Sequence, residues 1–271
     1  MLSFYRRIDR KLRTLMNPNQ PNAYDFATEV SDELRSAYSG RAAEIFFSNQ
    51  GKPVAKWLHY LPIYDQLLEK YIGTKVKMLE IGVAHGGSLG LWRELLGSDA
   101  VIFGIDVNPK CAAFDGDSGS VRIGSQDDPE FLRNVVAEMK GLNVVLDDGS
   151  HIGRHQRASF DVLFPLVEDG GLYMIEDVCC SYWPHSEGGR KRRGTIIEFL
   201  KDKVDDLHIH YQKKGLNNAE DMTNIESIQF FDSLIAIRKR RQLPRYHAMV
   251  PPSDELFYVP QKNKKEHRQS Y

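Results

Sequence analysis

The chain has 271 residues, 41% of them hydrophobic and 27% charged, with 36 Lys+Arg against 37 Asp+Glu and a formal net charge of -1. That length holds one large α/β domain with an appended helical segment, or two small domains, and the apolar share is enough for a full core. The near-neutral balance argues against general nucleic-acid binding, and three cysteines without CxxC or zinc-finger spacing exclude a disulfide framework and fit a reducing, cytoplasmic compartment.

The N-terminal stretch carries Arg6, Arg7, Arg10, Lys11 and Arg13 between apolar positions. No uninterrupted apolar stretch follows, so it does not read as a secretory signal, and no run anywhere is long enough to span a membrane. A basic amphipathic helix here either packs on its own protein or touches a membrane surface or a partner. Asn17 to Asn22 is a breaker-rich linker. Residues 25–47 read as a helix ending at Ile45, Phe46 and Phe47, an apolar patch that needs covering and makes a homo-oligomer conceivable. The pattern divides the chain into a helical N-terminal segment over 1–53, a main domain over 54–245, and a C-terminal extension over 246–271 that ends in a solvated tail.

From residue 54 the pattern changes. Trp57 to Tyr71 has apolar residues at helical intervals. Short apolar runs then alternate with helical segments: Lys77–Ile81, Val101–Asp106, Val121–Ile123, Val144–Asp147 and Leu172–Ile175. Such alternation predicts a parallel sheet with crossover helices, its strands buried on both faces. Leu207–Tyr211 and Ser233–Ile237 are expected as the last two strands, antiparallel at one edge.

The first strand leads into Glu80-Ile81-Gly82-Val83-Ala84-His85-Gly86-Gly87-Ser88. Gly82 permits a tight turn, Gly86 and Gly87 allow close backbone approach to a ligand, and Ser88 helps start a helix. The motif is not GxGxxG. Glu80 suits a ligand ammonium and Asp106, ending the second strand, a ribose diol; an ordinary α/β turn with a surface Asp is the plain alternative. After the third strand come Ser125, Gln126, Asp127 and Asp128. Gln126 or Asp127 could read an adenine edge, or Asp127 could cap the helix that starts at Pro129.

The fourth strand ends in Asp147-Asp148-Gly149-Ser150-His151 and the fifth in Glu176-Asp177. Carboxyl ends of neighbouring parallel strands share one crevice. Clustered carboxylates stay ionised only beside a cation, and oxygen ligands suit Mg²⁺. Asp148, Glu176 and Asp177 are the chosen ligands, with Asp147 lining the cofactor side; the alternative has Asp148 and Asp177 as helix caps without metal. His151, in the same loop, is the natural general base for a hydroxyl, or else a structural histidine. Arg154 and His155 are expected to pair with acids such as Asp161.

Together LEIGVAHGGSLGLW, GSQDD, LDDGSH, RHQRASF and IEDVCCSYW, preceded by Lys56-Trp57-Leu58-His59-Tyr60 and Pro62 to Asp65, closely resemble one group of bacterial class I S-adenosylmethionine (SAM)-dependent methyltransferases. The group is related to the macrolide-sugar O-methyltransferases of the mycinamicin type and more distantly to the cephalosporin-hydroxylase-like family. The resemblance runs from about Lys56 to Arg238. It implies a Rossmann-like, mostly parallel seven-stranded sheet with one antiparallel edge strand, SAM as donor, and Mg²⁺-assisted transfer to a hydroxyl of a sugar or glycosylated metabolite. It places metal on Asp148, Glu176 and Asp177 and the base on His151, and sets Lys56 and Tyr60 on a helix covering the SAM pocket, although Tyr60 reads equally as a half-buried helix aromatic. Glu80, Gly82, Gly86, Ser88, Asp106, Ser125, Gln126 and Asp147 are the candidate residues lining that pocket. Cys179 and Cys180 depart from the pattern, standing where relatives often carry His and Thr, and read as packing. Tyr182, Trp183 and His185 can form a lid or sugar-stacking wall. Gly188 to Arg193 is a basic loop that either attracts a phosphate, nucleotide-sugar or carboxylate or is merely solvated. An NAD-dependent oxidoreductase is disfavoured by the glycine pattern and by the lack of a Tyr-xxx-Lys pair after the fourth strand. A SAM-binding protein without catalysis is the remaining rival.

Overall fold

A computed structural model describes residues 30–208, 211, 224–241, 243 and 246–250. The basic N-terminal stretch, the Asn17–Asn22 linker and the Gln261–Tyr271 tail lie outside them. In chain order the main elements are α1 (Asp32–Ser36), α2 (Arg41–Ser48), α3 (Leu61–Leu68), β1 (Lys77–Ile81), α4 (Gly87–Leu96), β2 (Val101–Asp106), β3 (Ser120–Ile123), α5 (Pro129–Met139), β4 (Val144–Asp147), α6 (Gly153–Leu166), β5 (Leu172–Ile175), α7 (Ile196–Asp202), α8 (Val204–Leu207), β6 (Ile225–Phe230) and β7 (Ile235–Lys239).

The seven strands form one sheet in the order β3-β2-β1-β4-β5-β7-β6. β1 to β5 pair in parallel, and β7 runs antiparallel to both β5 and β6. The single antiparallel strand therefore stands one place in from the edge. The first five strands fall where the apolar runs placed them. The sixth does not: Leu207 ends α8, and the strand is Ile225–Phe230. Asp205 and Asp206 in the first turn of α8 suit the positive end of a helix. The long helix expected over 25–47 is broken at Gly40, whose φ of 114° no helix accommodates.

Period-two alternation divides the core into two layers. Met78, Val144, Leu146, Leu172 and Met174 face α2, α3 and α4, with Tyr64 and Trp92 fully buried there. Leu79, Ile81, Val145, Tyr173 and Ile175 face α5, α6 and α7. Ala42 and Ala43 of α2 are buried in the first layer, and the Ala42 N–H donates to Asp65 at 2.9 Å. Ile45, Phe46 and Phe47 pack partly against the same layer, so the chain itself covers much of that patch. Among the described residues no helix is long and apolar enough to cross a membrane.

Register sets the functional edge. Ile81 pairs with Ile105 on one side and Asp147 on the other, and Asp147 pairs with Ile175. The residues that follow in each strand thus share one rim. Gly82 turns the chain there at φ 96°, and a Cβ on it would fall 2.2 Å from the Asp148 carbonyl oxygen. Gly116 has φ 88° but open space around it. Gly82→Ala is expected to lower stability by about 2–4 kcal/mol, from strain plus clash, and Gly116→Ala by roughly 1–2 kcal/mol, from backbone conformation alone. Urea denaturation of the two variants checks the difference; equal losses would mean that the β1–β4 contact contributes nothing.

Candidate active site

A buried lysine organises the rim. Lys56 lies in the extended segment before the 3-10 turn Leu58–Tyr60, not on a helix. Its ammonium donates to Asp148 Oδ2 at 2.6 Å and Glu176 Oε2 at 2.7 Å, and its side chain is 3% exposed. The indole of Trp92 stands 5.8 Å away. Burial alone would lower the Lys56 pKa, but Asp148, Glu176 and Glu80 outweigh it and hold it raised. The other oxygen of Glu176 accepts from Tyr64 at 2.5 Å. Burial, reinforced by Asp148 and opposed by Lys56, pushes Glu176 up to about 8.

Glu176 was expected beside Asp148 and Asp177 as a metal ligand; its oxygens point to Lys56 and Tyr64 instead. Among the described residues, Asp148, His151 and Asp177 bring their ligand atoms within 4.8 Å of one another. His151 Nε2 is 4.0 Å from Asp148 Oδ1 and 3.7 Å from Asp177 Oδ2, and its buried Nδ1 has no hydrogen-bond partner. Asp177 Oδ1 accepts from the Trp57 indole at 3.0 Å, and the Tyr60 hydroxyl lies 3.0 Å from the same oxygen and 2.8 Å from the Ser233 carbonyl. Tyr60 is thus fully buried and holds an acid in place. Ala84, His151 and Asp177, in the loops after β1, β4 and β5, all take positive φ, at 47°, 55° and 52°. Non-glycine residues in that region cost roughly 1–3 kcal/mol each and cluster at functional sites.

Glu80 is fully buried and accepts from Ser88 Oγ at 2.8 Å and Trp92 Nε1 at 2.9 Å. It shapes the glycine loop from beneath, and burial pushes it up to about 7. Asp106 ties the same loop from the side, accepting from the N–H groups of Val83 and Ala84 at 3.0 Å each and Asn108 at 2.8 Å. On the side where a Cβ would stand, Gly86 and Gly87 of this loop are both packed against protein. A Cβ on Gly86 would meet the Phe114 ring at 2.7 Å, and one on Gly87 the Pro53 carbonyl oxygen at 2.2 Å.

Asp147 does not join its neighbour. It faces the opposite layer, fully buried, and accepts from Ser159 Oγ at 2.7 Å and Gln126 Nε2 at 3.1 Å. Burial raises its pKa. Gln126 also accepts from the Ser150 N–H at 2.8 Å, so its amide braces the His151 loop. Ser125 bonds Asp127, and the cap of α5 is Asp128, not Asp127. Arg154 pairs with Glu187 and Arg157 with Asp161, while His155 lies 3.6 Å from Asp127. Tyr182 is 53% exposed, and the Trp183 and His185 rings lie 5.4 Å apart. Cys179 and Cys180 are free thiols, the second buried.

Tyr64, Trp57 and Trp92 were missed as site residues. A Tyr60–Tyr64 spacing of one helical turn was the available signal. Lys56→Met is expected to cost about 3–5 kcal/mol, because two acids lose their counter-charge, and adding Glu176→Gln should recover part of it in the same denaturation assay. In metal-free protein Glu80 and Glu176 bind protons more tightly folded than unfolded. Stability should therefore fall as pH rises from about 4.5 to about 8, and Glu80→Gln with Glu176→Gln should flatten that slope in thermal melts.

No family model matches the chain. Over 162 residues it is 38% identical to the 8-demethyl-8-(2-methoxy-alpha-L-rhamnosyl)-tetracenomycin-C 3'-O-methyltransferase of Streptomyces olivaceus, covering 56% of this chain and 41% of that protein. Over 202 residues it is 36% identical to the mycinamicin VI 2''-O-methyltransferase of Micromonospora griseorubida, covering 70% of this chain and 50% of that one. The structure matches the MycE methyltransferase of the mycinamycin biosynthetic pathway, solved with Mg and SAH, at a TM-score of 0.66 and 30% identity, over 74% of this chain and 54% of that one. The chain thus spans about half the length of the relatives it matches. Over this domain it is a relative of the bacterial antibiotic-sugar O-methyltransferases of the mycinamicin type.

Proposed function

We propose that the chain is a SAM-dependent O-methyltransferase that methylates a sugar hydroxyl of a glycosylated small molecule, assisted by Mg²⁺. The observation that carries this reading is the convergence of Asp148, His151 and Asp177 at the rim, within 4.8 Å of one another. Two of the three offer the hard oxygen donors that a divalent cation takes. The relatives' names, and the Mg and SAH bound to MycE, point the same way.

Asp148 and Asp177 would hold the ion, and Glu176 would hold Asp148 in place through their shared Lys56. A bound divalent ion lowers the pKa of a coordinated hydroxyl and fixes its orientation. SAM supplies the methyl carbon for an in-line displacement by the acceptor oxygen. His151 takes the acceptor proton on Nε2, and the two carboxylates at 3.7 and 4.0 Å stabilise the imidazolium that results. On the donor side, Glu80 and Ser88 hold the Gly82–Gly86 turn, and Asp106 has remaining lone pairs for a ribose hydroxyl. Ser125, Gln126 and Asp147 support the floor beside them. Tyr182, Trp183 and His185 wall the acceptor side and help to exclude water.

Calorimetry should detect binding of SAM and none of NAD; the reverse would replace this reading with an oxidoreductase. In assays of S-adenosylhomocysteine release over a panel of glycosides, His151→Ala should cut kcat by about 10²–10⁴-fold while leaving SAM affinity unchanged. Asp148→Ala should remove the sensitivity of the residual rate to chelator. A wild-type rate in His151→Ala would remove the base, and undiminished chelator sensitivity in Asp148→Ala would remove the metal assignment.

A further inference from the structure

Four cations stand in succession on the loop between the 3-10 turn Pro184–Ser186 and α7: Arg190, Lys191, Arg192 and Arg193, all exposed. Among the described residues none of them forms an ion pair, and the neighbouring acid Glu187 is already paired with Arg154. Arg192 is anchored through Nη1 to the Gly188 carbonyl at 3.3 Å. The other three guanidinium and ammonium groups have no ion-pair partner among the described residues.

The loop is fastened to both segments that bear the proposed chemistry. At its start, the Gly188 N–H donates to the Trp183 carbonyl and the Gly189 N–H to the Ser181 carbonyl, both at 2.8 Å. A Cβ on Gly188 would fall 2.6 Å from the Cys180 carbonyl oxygen. These partners belong to the segment that follows Asp177. At its end, the Gly194 carbonyl oxygen lies 2.5 Å from where a Cβ on Gly153 would stand. Gly153 opens α6, just after His151. The cationic arch therefore runs from one catalytic loop to the other, beside exposed Tyr182 and the Trp183–His185 ring pair.

Unpaired cations at a site mouth attract anions, and the guanidinium fork binds phosphate or carboxylate through paired hydrogen bonds. The carboxylates at the rim would otherwise repel an anionic acceptor. We propose that this loop is an anion clamp for the acceptor, and that the acceptor sugar carries a phosphate, pyrophosphate or carboxylate group. The proposal rests on the methyltransferase reading above and names its substrate class.

The test uses the full chain saturated with S-adenosylhomocysteine, with inorganic pyrophosphate as the probe in calorimetry. Pyrophosphate should bind the wild-type protein with an affinity that falls as salt rises. A combined Arg190→Gln, Lys191→Gln and Arg193→Gln variant should bind it at least tenfold more weakly and bind S-adenosylhomocysteine equally well. Equal pyrophosphate affinity in both proteins, or none in either, overturns the clamp. Failure of the wild-type protein to bind S-adenosylhomocysteine overturns the methyltransferase reading instead. A second measurement needs no variant: wild-type transfer to one sugar presented as neutral methyl glycoside, 1-phosphate, nucleoside diphosphate ester and uronic acid. A kcat/KM at least tenfold higher for a charged member supports the clamp and identifies the source of the anion. A preference for the neutral glycoside overturns it.

Discussion

The site depends on one buried ammonium. Asp148 and Glu176 emerge from adjacent strands onto the same face, and two carboxylates there would repel each other. Lys56 contacts both, at 2.6 and 2.7 Å. Unit charges about 4 Å apart interact by about 4 kcal/mol at an effective dielectric near 20. Two attractive contacts of that order offset one repulsion of the same order and part of the cost of desolvation. The consequence reaches further than charge balance. With one oxygen on Lys56 and the other on Tyr64, Glu176 is fixed, and Asp148 and Asp177 are the acids left beside His151 at the rim.

The backbone delivers these groups by register and parity. Parallel pairing aligns Ile81, Ile105, Asp147 and Ile175 in one row. Glu80, Asp148 and Glu176 then fall on the face covered by α3 and α4, and Asp147 on the other. Adjacent aspartates consequently meet different environments. Asp147 is sealed against Ser159 and Gln126, and Asp148 is 22% exposed at the rim. The three strained loop residues Ala84, His151 and Asp177 bend the chain back over that rim. Tight packing beneath them, with Trp92 edge-on to Tyr64 at 5.0 Å, makes such conformations tolerable.

Much of this was legible beforehand. Apolar runs located β1 to β5 because strands buried on both faces leave a continuous signal. β6 was misplaced because Ile225–Phe230 mixes Glu226, Ser227 and Gln229 with its apolar residues, as an edge strand does. The acids and His151 were found as a group, since strand ends share a crevice. Their partners were not. Nothing local to Lys56 says that its ammonium will reach across 92 and 120 residues of chain to Asp148 and Glu176. Period-two counting from Glu80, Leu146 and Met174 would have separated Asp147 from Asp148. The packing of Phe114 and of the Lys52 and Pro53 carbonyls against Gly86 and Gly87 is wholly tertiary and left no local signal.

The Gly82–Gly86 loop and the acid rim lie in segments that resemble the sugar O-methyltransferases, and the region after Asp177 carries the vicinal thiols and the cationic arch. Crystals grown with S-adenosylhomocysteine and soaked in Mn²⁺, measured for anomalous scattering, test the central arrangement most directly. One peak bounded by Asp148, His151 and Asp177, with the Lys56 ammonium still seated between Asp148 and Glu176, is the predicted result. A peak at the Lys56 position with the lysine expelled, or none at this rim, would contradict it.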